Sequence, residues 1–99
     1  MTNAAADPHG RETVVVRYWA AARAAAGVET DTVPVESGAT LADVLAAVRA
    51  RHADRPRFAD VVAVCSVLLG DRPVGVRAPE DVPVQPGDSV ELLPPFAGG

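Results

Sequence analysis

The residues best suited to chemistry lie in one segment, Leu92-Leu93-Pro94-Pro95-Phe96-Ala97-Gly98-Gly99. Pro94 and Pro95 have no backbone N–H and a fixed φ, so strand pairing is predicted to stop after Leu93 and the chain beyond it to run extended. At about 3.1 Å per residue, positions 94 to 99 reach roughly 18 Å from a fold. Gly98 and Gly99 carry no Cβ, which makes a tip slender enough for a channel that would exclude larger residues. The reactive group of such a tip is the α-carboxylate of Gly99, ionised at neutral pH and inert until activated. This reading therefore requires an ATP-dependent partner. The competing expectation is a frayed, Gly-rich terminus.

No other set of residues competes with the tail. The sequence shows no Gly-rich phosphate loop, no Cys/His cluster, no Ser/His/Asp set and no pair of carboxylates suited to acid–base work, so the chain alone is a poor enzyme candidate and no metal or bound cofactor is expected. His9 reads as solvated. His52 reads as a helix-end residue, and Cys65 as a small buried hydrophobe in an apolar strand. Asp71, Glu80, Asp81, Asp88 and Glu91 read as a solvated acidic face. The formal charge of −4 argues against nucleic acid and for partners with basic surfaces. All nine basic residues are arginines, so a chain carrying an activated acyl group has no lysine of its own to acylate. The longest apolar run, Val61 to Leu69, is broken by Ser66 and far too short for a membrane span. Met1 to Gly10 lacks a basic start and a hydrophobic stretch, so a cytoplasmic address is expected.

The 99 residues suffice for one domain with one modest core. Residues 1–12 read as a disordered leader, 13–93 as the folded domain and 94–99 as the tail. Thr13 to Trp19 is β-branched and aromatic and predicts a strand, with Val14, Val16 and Tyr18 on one face and Val15, Arg17 and Trp19 on the other. Ala20 to Ala26, closed by Gly27, suits a short helix. Val28 to Glu36 predicts a second strand, at an edge because of Pro34. Thr40 and Asp43 fit a capping pattern, and Leu41, Val44, Leu45 and Val48 follow at helical spacing, so the main helix begins there. Asp54 to Asp60 reads as a charged loop. Val61 to Leu69 reads as a central strand buried on both faces. Gly70 to Pro73 predicts a turn, Val74 to Val76 a short strand, Ala78 to Pro86 a loop, and Ser89 to Leu93 the closing strand. A mixed sheet packed on one main helix, an α+β fold, accommodates this order.

The order of elements, the Arg23 helix ending at Gly27, the Gly38-Ala39-Thr40-Leu41 helix entry, Gly87-Asp88-Ser89-Val90 and the ending Pro94-Pro95-Phe96-Ala97-Gly98-Gly99 together resemble the ubiquitin-like sulfur carriers. The resemblance spans about residues 13 to 99 and is strongest to the MoaD-type small subunit of molybdopterin synthase. It implies a β-grasp fold. It also implies that Gly99, presented by Gly98, is adenylated by a ubiquitin-activating-like (MoeB-type) enzyme that uses ATP, and is then converted to a thiocarboxylate. The tail would enter a MoaE-type large subunit and give its sulfur to a pterin precursor. The first and last strands of a β-grasp are neighbours, so Trp19, Arg17, Leu93 and Phe96 are expected to form one docking patch, with Pro94, Pro95 and Ala97 passing into the partner. The competing expectation for Trp19 is a place in the core. Leu69 before Gly70 and a long Val76 to Pro86 loop depart from the family pattern. Carriers for thiamine or cysteine synthesis, a protein conjugator, and a ubiquitin-like module whose Gly-Gly is never activated remain alternatives.

Overall fold

A computed structural model describes residues 12–95, so most of the leader and the segment Phe96 to Gly99 lie outside the described residues. The sheet is built on β1 (Thr13–Tyr18), where alternation puts Val14, Val16 and Tyr18 in the core, leaves Arg17 exposed and leaves Val15 half-buried. The short helix α1 (Ala20–Ala26) follows and stops at Gly27, whose φ of 79° is the left-handed conformation that glycine adopts without a Cβ penalty. The strand β2 (Thr30–Pro34) then returns antiparallel to β1, pairing Val14 with Val33 and Arg17 with Thr30. It is an edge strand, where Pro34 removes no needed ladder bond. The carbonyl of Glu12 accepts the Val35 N–H at 2.9 Å, so the ladder begins one residue before β1.

The main helix α2 (Leu41–Arg51) opens on a reciprocal cap: Asp43 donates its backbone N–H to the Thr40 hydroxyl, and the Asp43 carboxylate accepts the Thr40 N–H at 2.9 Å. Leu41, Val44, Leu45 and Val48 are all buried, each stabilising the fold by about 1.5–3 kcal/mol relative to exposure. The Leu41 N–H, an unpaired donor at a helix start, bonds to the Val82 carbonyl at 2.8 Å. The stretch expected to be a loop thus clamps the helix entry. It contains a 3-10 turn at Pro79–Asp81, buries Val82 and Val84, and bridges Pro83 to Thr40.

Residues 54–69 correct the sequence reading. Instead of a charged loop and one long strand there is a helix, α3 (Phe58–Ala63), and only then the strand β3 (Ser66–Leu69). Phe58 and Val62, four residues apart, are both buried, so the helical period captures the first half of the apolar run. Val64 is 61 % exposed between the two elements. Nor is β3 buried on both faces, since Ser66 is exposed and the rest only half-buried. Cys65 is half-buried at the junction and donates its S–H to the Val61 carbonyl at 3.3 Å, and burial raises its pKa. The strand expected at Val74 to Val76 is instead β4 (Arg72–Pro73), a two-residue edge; Val74 is buried and Val76 fully exposed.

The closing strand β5 (Ser89–Leu93) matches its expected bounds. The turn before it docks on the start of β1 through Gly87 N–H to Thr13 O and Val15 N–H to Asp88 O, at 2.8 and 3.1 Å. Asp88 also accepts the Gln85 N–H at 2.8 Å, so it is a turn residue with a structural partner rather than only a solvated acid. The five strands run β2-β1-β5-β3-β4, with β5 parallel to β1 and antiparallel to β3. Among the described residues, the buried faces of α1, α2 and α3 join one core with the inward side chains of this mixed sheet. This is the α+β, β-grasp arrangement that the resemblance implies.

Candidate functional site

β5 lies in the middle of the sheet, held on one flank by β1 and on the other by β3, where Leu93 pairs with Ser66. Pro94 is half-buried and Pro95 exposed, and the ladder ends at Leu93 as the missing N–H groups require. Pro94 and Pro95 therefore continue from the central strand of the sheet. Phe96, Ala97, Gly98 and Gly99, expected to carry the chemistry and part of the docking patch, lie outside the described residues.

The outer face around this root holds Arg17, Trp19, Glu91 and Leu93. Arg17 is exposed, Leu93 half-buried and Trp19 44 % exposed. Trp19 is thus outside the core, and its backbone N–H donates to the Leu92 carbonyl at 3.2 Å, which brings the end of β1 against the end of β5. Its indole Nε1–H donates to Glu91 Oε1 at 3.0 Å. The structure brings Arg17, Trp19 and Leu93 together. The sequence reading missed Glu91, taken for one of several solvated acids. The available signal was its i−2 spacing from Leu93, which puts both on one face.

A second polar cluster ties the helix to the sheet. His52 caps the C-terminal end of α2 and is only 9 % exposed. Its Nε2 lies 2.6 Å from Asp31 Oδ2, which also accepts the Tyr18 hydroxyl at 2.7 Å, while Arg51 donates to Asp31 Oδ1 at 3.2 Å and to the Thr32 carbonyl at 3.1 Å. Burial pushes the Asp31 pKa upward, but the hydrogen bonds from His52, Tyr18 and Arg51 outweigh it and hold the carboxyl below its ordinary value. Burial, then the bond to Asp31, pushes the Tyr18 phenol up. The Tyr18 and Phe58 rings meet edge to face at 5.6 Å. The hydrogen bonds of this cluster join Tyr18 of β1, Asp31 and Thr32 of β2 and the end of α2 to one another, so it braces the fold.

A surface depression of about 340 Å³ lies elsewhere on the described residues, beside the Glu36 to Gly38 turn, bounded by Val33, Val35 and Asp43, at the end of the sheet away from the tail root. Among the described residues no three His, Cys, Asp or Glu side chains form a metal-binding group, and no helix is long and apolar enough to cross a membrane.

Comparison with known proteins follows the same line as the geometry. The family model described as the ThiS family matches residues 16–99. The chain is 33 % identical over 86 residues to the molybdopterin synthase sulfur carrier subunit of Chlamydomonas reinhardtii, covering 87 % of this chain and 98 % of that one. A solved structure described as a putative molybdopterin converting factor, subunit 1, from Pyrococcus furiosus superposes with a TM-score of 0.69 at 26 % identity, covering 85 % of this chain and 98 % of that one. A chain in the complex of subunits 1 and 2 of the molybdopterin-converting factor from Helicobacter pylori shares the fold, with a TM-score of 0.57 at 23 % identity over 88 % of this chain and 99 % of that one. A model match through the strand that roots the tail, and a third of the residues shared with a relative over nearly that relative's whole length, lead to one assignment: the chain belongs to the ThiS family.

Proposed function

We propose that this chain is a sulfur carrier, the small subunit of a molybdopterin synthase. The observation that carries the reading is its identity to the Chlamydomonas sulfur carrier subunit over almost all of that protein, and the emergence of Pro94 from the central strand suits it. A Gly99 carboxylate oxygen attacks the α-phosphate of ATP on a MoeB-type activating enzyme, giving an acyl-adenylate and releasing pyrophosphate. Sulfur at the oxidation level of hydrosulfide then attacks the acyl carbon, the C–O bond to AMP breaks as AMP leaves, and a thiocarboxylate remains. The slender Gly98-Gly99 tip enters a MoaE-type large subunit, where the thiocarboxylate sulfur bonds to an electrophilic carbon of a pterin precursor as an oxygen substituent of that carbon leaves; water then cleaves the acyl C–S bond of the resulting thioester, leaving the sulfur on the pterin as a thiolate and returning the Gly99 carboxylate. The large subunit supplies the catalytic groups. Arg17, Trp19 and Leu93 form the contact at the tail root, with Pro94, Pro95, Phe96 and Ala97 continuing it into the partner. The Helicobacter complex, in which a chain of the same fold is solved with its subunit 2, supports such a partner.

Intact-mass measurement on the chain isolated from its native cell tests this. The expected result is a C-terminal glycine with sulfur in place of one oxygen, and loss of that sulfur on incubation with the large subunit and the pterin precursor. A terminal acid that never changes, or a Gly99 joined to lysines of other proteins, would overturn the reading.

A further inference from the structure

Trp19 is tied down at every polar group it has. Its N–H donates to the Leu92 carbonyl, its carbonyl accepts from Ala22 N–H at 2.9 Å and Arg23 N–H at 3.3 Å, and its indole N–H donates to Glu91. The next residue, Ala20, has φ +48°, the only positive φ outside glycine among the described residues. A residue with a Cβ keeps such a conformation only where its surroundings enforce it, and such strain gathers at functional positions. Glu91 is also committed in an unexpected direction. Its register partner across β1 and β5 is Arg17, and opposite charges facing each other across strands ordinarily attract. No ion pair joins them among the described residues, and the carboxylate instead receives the indole. The indole is thus hydrogen-bonded to Glu91 and still 44 % exposed, and Arg17, two residues earlier on the strand, is exposed as well.

We propose that Glu91 is a positioning residue which, with the left-handed Ala20, holds the Trp19 indole as a preformed anchor for the large-subunit contact at the root of the tail. This rests on the sulfur-carrier reading and adds to it a residue that acts through Trp19. An exposed aromatic side chain normally loses rotamer freedom on docking, and one already fixed does not, which corresponds to about a two- to tenfold gain in affinity. The competing role for Glu91 is a cross-strand tie that serves stability alone.

The sole tryptophan makes the test direct. The full-length wild type, Glu91→Ala and Glu91→Gln are compared by time-resolved fluorescence anisotropy of Trp19 and by titration with the molybdopterin synthase large subunit of the same cell, with urea melts establishing that each is folded. Glu91→Ala is expected to add a fast local depolarisation and to weaken binding about two- to tenfold. Glu91→Gln, whose amide oxygen still accepts the indole N–H, is expected to retain both properties. An indole as immobile in Glu91→Ala as in the wild type overturns the proposal; so does a freed indole with unchanged affinity, or equal damage from both variants. A wild type that itself fails to bind would remove the partner from the functional reading, while the anisotropy still decides whether Glu91 fixes the indole.

Discussion

His52 Nε2 lies 2.6 Å from Asp31 Oδ2, and because an ionised carboxylate only accepts, that ring nitrogen carries the proton. The contact joins the end of α2 to the edge strand β2. Removing the carboxylate strands the Tyr18 hydroxyl and the imidazole in a buried site, so Asp31→Ala is expected to cost about 2–3 kcal/mol, read as a lower urea midpoint at unchanged slope.

The same aspartate sets an acid limit. Burial opposes its ionisation, but its three donors keep its folded pKa below the unfolded value. The stability contributed by ionised Asp31 is therefore complete above the ordinary aspartate range near ~4 and is lost as the pH falls through the lower folded pKa. Urea melts across that range should show stability falling with acid in the wild type and a flatter profile in Asp31→Asn. Parallel profiles would mean the cluster does not respond as its geometry implies.

Trp19→Ala separates anchor from core. A core tryptophan would cost about 3–5 kcal/mol of folding free energy. The exposed position of Trp19 predicts a loss of no more than about 1–2 kcal/mol, against about 2–4 kcal/mol of binding to the large subunit, roughly thirty- to a thousandfold in affinity. Thermal melts beside a titration measure both.

Ala20→Gly is expected to stabilise. A left-handed residue with a Cβ costs about 1–2 kcal/mol, and glycine returns about 0.5–1 kcal/mol of that as unfolded-chain entropy, leaving a net gain of at most about 1.5 kcal/mol. The anchor proposal adds that the gain comes with a looser Trp19, visible in the same anisotropy decay.

Deleting Gly99 should abolish sulfur transfer and leave melting unchanged, since the last strand ends at Leu93 and Pro95 is already exposed. One residue added after Gly99 should be as damaging, because it displaces the carboxylate from register. Product formation and thermal unfolding on the same sample check both variants.

Local chemistry made much of this fold legible. The alternation of Val14, Val16 and Tyr18, the Thr40 and Asp43 cap, the Gly27 stop and the Ser89 to Leu93 strand each depend on near neighbours, and each stands where it was read. Residues 58–65 were not legible, because Phe58 and Val62 select a helix only when a core exists on one side of them. The Asp31, His52 and Tyr18 cluster and the Trp19–Glu91 bond were hidden for a related reason. Their members are 13 to 72 residues apart in sequence, and no local pattern reports a pairing that the sheet order alone creates.

The placement of β5 has a consequence for the order of synthesis. Of the five strands among the described residues, the one translated last fills the centre of the sheet. Until residues 89–93 emerge, β1 and β3 have no shared neighbour, and a nascent or truncated chain presents two half-sheets with open edges, the state most prone to wrong pairing. The tail is thus attached to the strand that completes the fold. If the chain is the sulfur carrier proposed above, the segment to be charged is rooted in the strand whose arrival finishes the fold, and an incomplete chain lacks both together.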